Sequence, residues 1–181
     1  MNAIMSHLDQ EVYAFTECKQ FDIGMINFDP LVIKYCEQNA CGHFGKNHMC
    51  PPAVKDMEAW REEITSFPNA VMITKVYPTS SSYDMKAWLE AIADFQKRLV
   101  TLKENLTSDF PHRKYLVLGA GACSLCKACT YPDGDPCRFP DKALSSVEAC
   151  GIDVMRLSKS AGVKYNNGKN TVTYLGVVLF Q

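Results

Sequence analysis

The sequence predicts an α/β or α+β fold: a small mixed sheet with a strand–long helix–strand crossover and cysteine-rich metal-binding loops at one end. Three stretches predict it. Residues 71–77 form a β-branched run that stops at Pro78, which reads as a buried strand. Met85, Trp88, Leu89, Ile92, Phe95, Leu99, Leu102 and Leu106 recur at helical spacing and mark one amphipathic helix over about 84–106. Residues 114–119 are a second strand running directly into Cys123. Strand, helix, strand makes a crossover, expected to be right-handed with parallel strands.

The remaining elements follow in order. A first helix is expected over about Met5 to Cys18. A second begins at Asp29-Pro30, with Asp as N-cap and Pro in the first turn, and delivers Cys36 near its end. Residues 39–52 lack periodicity and hold two Gly, two His and a Pro pair, so they form a loop. A short helix from Val54 to about Ser66 follows, and Asp84 is a possible cap for the long helix. Ser145 and Glu148 have capping-box spacing and are expected to open a helix to about Ala161. Asn166-Asn167-Gly168 is a turn, and residues 171–180 are strand-like.

At 181 residues the chain is read as a single domain, 1–181, with two cysteine-rich segments, 36–52 and 119–140. Its 47% hydrophobic and 22% charged content are ordinary for a globular chain. A net charge of −1 gives no reason to expect nucleic acid as a partner. No apolar run approaches the length of about 18 residues that a membrane helix needs, so no membrane association is expected. His7, Asp9 and Gln10 stand where a signal peptide would be apolar, which leaves the cytoplasm as the expected location.

Nine cysteines are too few for a disulfide scaffold, and in a reducing compartment clustered cysteines point to metal. Cys123, Cys126 and Cys129 repeat every third residue, and Cys137 follows a loop rich in Pro and Gly. Thiolates select zinc or iron–sulfur. Structural zinc favours widely separated Cys pairs, whereas consecutive C-x2-C steps suit an iron–sulfur cubane. The reading is a [4Fe–4S] cluster on Cys123, Cys126, Cys129 and Cys137, with zinc as the alternative. Cys36, Cys41 and Cys50 form a second, less regular group that ends in Cys-Pro-Pro. They supply three ligands, or four with Cys18. With three, one iron is left for water, substrate, His43 or His48, and an open position separates a catalytic metal from a closed one.

Other residues take plainer readings. Gly119 and Gly121 look like part of a dinucleotide turn but lack its third glycine, so they are assigned to close backbone approach. Cys150, near the expected helix start at Ser145, is either a reactive thiol or a small buried residue, and the second is preferred. Glu148 is read as the capping partner. Lys127 and Arg138 flank the cluster and would raise its potential, unless they are simply solvated. The Trp88/Phe95 stripe is core, and His7 and His112 carry no signal.

The motifs at 123–129, at 136–140 and at 145–154 (Ser-Ser-Val-Glu-Ala-Cys-Gly-Ile-Asp-Val) resemble a cysteine-rich microbial family of predicted metal-binding proteins, a domain of unknown function. Its members share a Cys…Cys…Cys-Pro-Pro element, here Cys36, Cys41 and Cys50-Pro51-Pro52. The resemblance spans roughly residues 30–180 and implies metal or iron–sulfur binding by these seven cysteines. Cys18 lies outside the family pattern, and the position of Cys150 need not be Cys.

Three functions suit this reading. The first is an electron carrier or redox accessory protein with one or two [4Fe–4S] clusters and a redox partner protein. The second is an enzyme with an open iron site, on a substrate the sequence does not identify. The third is a zinc-stapled binding module in which metal supplies only folding energy.

Overall fold

Residues 69–78 and 171–180 alternate between two buried sides, and each side faces a different layer. The chain is described over residues 3–181 by a computed structural model. Nine elements follow in order: α1 (Ala3–Leu8), β1 (Glu17–Phe21), α2 (Pro30–Glu37), α3 (Met57–Thr65), β2 (Asn69–Pro78), α4 (Met85–Asp109), β3 (Tyr115–Leu118), α5 (Val154–Ser160) and β4 (Thr171–Phe180). On one side of the sheet Met72, Leu175, Val177 and Leu179 pack with Trp60 and Ile64 of α3 and Leu157 of α5. On the other, Val71, Ile73, Val178 and Phe180 pack with Phe95, Leu99, Leu102 and Leu106 of α4 and with Ile4 and Leu8 of α1. Cover on both faces is why these strands read as nearly unbroken apolar runs.

The α/β class expected from the sequence holds, and the crossover through α4 is present. The strand order is β1-β2-β4-β3, and every strand pairing is antiparallel. β2 and β3 do run in the same direction, but the C-terminal strand β4 lies between them instead of the two pairing directly. Gly176 sits in the middle of β4, where a Cβ would stand 2.8 Å from the Leu118 carbonyl oxygen.

Two expected helices differ. The Met5–Cys18 helix stops at Leu8, because a series of turns leads to Ala14 at φ 46°, and residues 17–21 become the edge strand β1. The 145–161 helix is also broken. Residues 148–150 form only a 3-10 turn, Gly151 adopts φ 79°, and α5 starts afresh on the Asp153 cap. The Ser145/Glu148 capping box is absent; the Ser146 hydroxyl instead accepts from the Ala149 amide at 3.1 Å. The Asp29 and Asp84 caps form as expected, accepting from Leu31 and Ala87. Phe95 is buried, whereas Trp88 is half-buried at the outer end of α4. No helix among the described residues is long and apolar enough to cross a membrane.

The fold brings residues 43–49 of the first cysteine segment against the second. β3 ends at Leu118, and the chain then bridges back from Gly119 to Ser146. Gly121, at φ 66°, turns it along α4 toward Cys123. The first segment arrives from α2, whose last turn carries Cys36.

Candidate metal centre

Cys123, Cys126, Cys129 and Cys137 all line one cavity of about 150 Å³. A short turn carries the first three, and the chain must double back to bring in the fourth. Gly134 makes that return at φ 76°, where an L side chain is disfavoured. The Thr130 hydroxyl donates to the Pro136 carbonyl at 2.9 Å, and Arg138 donates to the Ala128 carbonyl at 2.9 Å. Arg138 is therefore a loop tie, while Lys127 is exposed.

The first cysteine segment closes over this turn. The buried Asn47 side chain donates to the Cys123 carbonyl at 3.0 Å. The His48 amide donates to the Cys129 sulfur at 3.5 Å. The His48 ring lies 3.0 Å from the Asp135 carbonyl through Nε2 and 3.2 Å from the Thr130 hydroxyl. A carbonyl can only accept, so Nε2 carries the proton and His48 acts as a clamp between the loops. His43 is exposed at the rim of the same cavity.

Burial raises the thiols of Cys36, Cys50 and Cys123. It pushes Cys50 up to about 12, and the neighbouring thiols of Cys41, Cys36, Cys123 and Cys129 push the same way. Burial also raises Cys123, against the amides of Leu125 and Leu144, which donate to its sulfur; Cys137 and Cys126 raise it further. Cys36 is raised by burial, then by Cys41, Glu148 and Glu37. Amide donors to sulfur stabilise thiolate charge and tune any metal bound to it.

Among the described residues, no group of three or more His, Cys, Asp or Glu side chains is drawn together so as to hold a metal ion. The C-terminal thiols surround a space. Cys36 and Cys41 line a separate cleft of about 540 Å³ with Glu148 and Tyr165. As a donor set, soft thiols with amide hydrogen bonds suit a thiophilic metal.

A family model described as predicted metal-binding protein (DUF2284) matches residues 19–180. The chain belongs to that family. No curated protein and no solved structure matches it. The description of DUF2284 gives metal binding as a predicted property and leaves the metal open.

Within this DUF2284 chain two cysteines stand apart. The family match begins at Lys19, one residue past Cys18. Cys18 lies in β1, donates to the Leu8 carbonyl at 3.7 Å and packs against the α4 side of the core. Cys150 is fully buried in the other core and donates to the Ser146 carbonyl at 3.5 Å. It is a small core residue, and with no helix starting at Ser145 it gains nothing from a helix N-terminus. Glu148, expected as a capping partner, has its carboxyl raised by burial, beside Cys36.

Sequence reading missed Asn47, which looks like any polar loop residue, and Gln96. Gln96 sits mid-helix on α4, where its side chain donates to the carbonyls of Ala120 (2.8 Å) and Ala122 (2.5 Å) and accepts from the Ser124 hydroxyl. A Gln among the apolar positions of a helix was the available signal.

Proposed function

We propose that this protein binds a [4Fe–4S] cluster through Cys123, Cys126, Cys129 and Cys137. A second centre involves Cys36, Cys41 and Cys50. The protein serves in the cytoplasm as an electron carrier or redox accessory to a partner protein. The observation that carries this reading is the four-thiol cavity. A mononuclear ion needs four sulfurs around one point, whereas a cluster needs them around a volume. Asn47 and His48, three and two residues before Cys50, hold the loop of Cys123 and Cys129, which supports two centres near one another. Leu31, Tyr35 and Met155, at 52%, 63% and 61% exposure, stand around the Cys36/Cys41 cleft and suit the apolar contact of a transient partner. Protein purified anaerobically is expected to be coloured, to bleach with dithionite and to recover on mild reoxidation. A colourless protein, or colour that dithionite leaves unchanged, contradicts the reading.

One observation favours a second reading, an enzyme with an open iron site. Cys36 and Cys41 lie on the wall of the 540 Å³ cleft beside the Glu148 carboxyl and the Tyr165 phenol. That space is within the usual range of small-molecule sites. Addition of a substrate would then change the signal of one iron in a Mössbauer spectrum. Full thiolate ligation at both centres excludes it.

A further inference from the structure

A second cavity also has Cys123 in its lining. It measures about 510 Å³ and opens between α4 and the 119–125 turn. That volume is typical of small-ligand sites. Val100, Leu125 and Leu144 form apolar wall. Lys97 and Thr101, one helical turn apart on α4, both line it. Among the described residues neither the Lys97 ammonium nor the Thr101 hydroxyl has a hydrogen bond or ion pair.

The other charges near the cavity are already committed. Lys142 is held by Glu104 at 2.6 Å, and the Lys103 ammonium donates to the Ala143 carbonyl at 3.1 Å. The Ser124 hydroxyl is spent on Gln96. What remains free in this lining is one cation and one hydroxyl, one helical turn apart, together with the apolar wall. A carboxylate accepts from both, and a tail of a few carbons fits the rest.

We propose that this cavity binds a small amphipathic monoanion, a carboxylate with a short apolar body. The carboxylate takes the Lys97 ammonium and the Thr101 hydroxyl; the body lies on Val100, Leu125 and Leu144. Bound there, the ligand rests against the turn that carries Cys123. Its two polar anchors, Lys97 and Thr101, lie on α4 and not among the cysteines.

The test titrates hexanoate, and separately hexylammonium, into the full chain purified anaerobically, with Val and Leu methyl signals followed by NMR. Hexanoate should give saturable shifts at Val100, Leu125 and Leu144. Hexylammonium should bind at least about fivefold more weakly, and Lys97→Gln should weaken hexanoate by about fivefold, the scale of one partly exposed charge contact. Val100→Trp, which fills the hollow, should abolish the shifts. Lys97 is exposed, so its variant keeps the test valid even if Val100→Trp fails to fold. Shifts confined to other methyls, equal binding of the amine, or unchanged affinity in Lys97→Gln overturns the proposal. Metal content is measured on the same sample, so failure of the iron–sulfur reading and failure of this site are told apart.

Discussion

Asn47 and Cys123 stand 76 residues apart, yet the side-chain amide of one holds the backbone carbonyl of the other at 3.0 Å. The same Asn47 accepts from the Met49 amide at 2.9 Å, so one buried side chain fixes both cysteine loops. Replacing it by Ala leaves a part-buried carbonyl and a part-buried amide without this partner. Asn47→Ala is expected to lose about 1–3 kcal/mol in denaturant unfolding and to release metal faster to a chelator. Unchanged metal release would show that the loops do not depend on this clamp.

Gln96 ties the turn on either side of Cys123 to α4 through three hydrogen bonds. Gln96→Leu keeps the shape and removes all three. Faster amide hydrogen exchange is expected over residues 120–125, with a loss of about 1–3 kcal/mol. Exchange that is faster only elsewhere would refute the assignment.

Cys18 gives a pH signature away from the metal centre. Burial raises its thiol from 9.0 to about 12, and Asp9 and Glu17 add to the shift. The folded chain therefore holds a proton that the unfolded chain has released between these two values. Stability must fall as pH rises from 9 toward 12. Cys18→Ser should flatten this fall in melts of metal-free protein. A steeper fall in the variant would reverse the sign and contradict it.

Gly176 is required by space. A Cβ there would stand 2.8 Å from the Leu118 carbonyl oxygen and 3.3 Å from Leu99 Cδ1. A backbone atom cannot step aside as a side chain can. Gly176→Ala is therefore expected to lower stability by about 1–3 kcal/mol, the cost of overpacking a core. A neutral or raised melting temperature would show that the sheet gives way.

Much of this architecture was legible from local pattern. The spacing of Phe95, Leu99, Leu102 and Leu106 marked α4 because only one stripe of that helix is buried. Asp29-Pro30 marked α2 because cap and first turn are local chemistry. β1 was not legible: its residues Glu17 to Phe21 sit on a sheet edge and are mostly half-buried, so they show no clean alternation. The place of β4 between β2 and β3 was hidden too, since pairing across the chain leaves no local mark. The capping spacing of Ser145 and Glu148 misled because Gly151 breaks the helix six residues on.

At the candidate site the cysteine spacing singled out Cys123, Cys126, Cys129 and Cys137, which all line the 150 Å³ cavity. It gave no hint that Asn47 and His48 close one loop on the other. Those contacts depend on how α2 and the turn after β3 converge, which only the tertiary fold decides.

The most direct measurement is the iron, zinc and acid-labile sulfide content of protein purified without exposure to air. The iron–sulfur account predicts iron and sulfide in equal amounts, unchanged in Cys18→Ser and Cys150→Ser and sharply reduced in Cys126→Ser. Stoichiometric zinc without sulfide, or iron retained in full by Cys126→Ser, would contradict it.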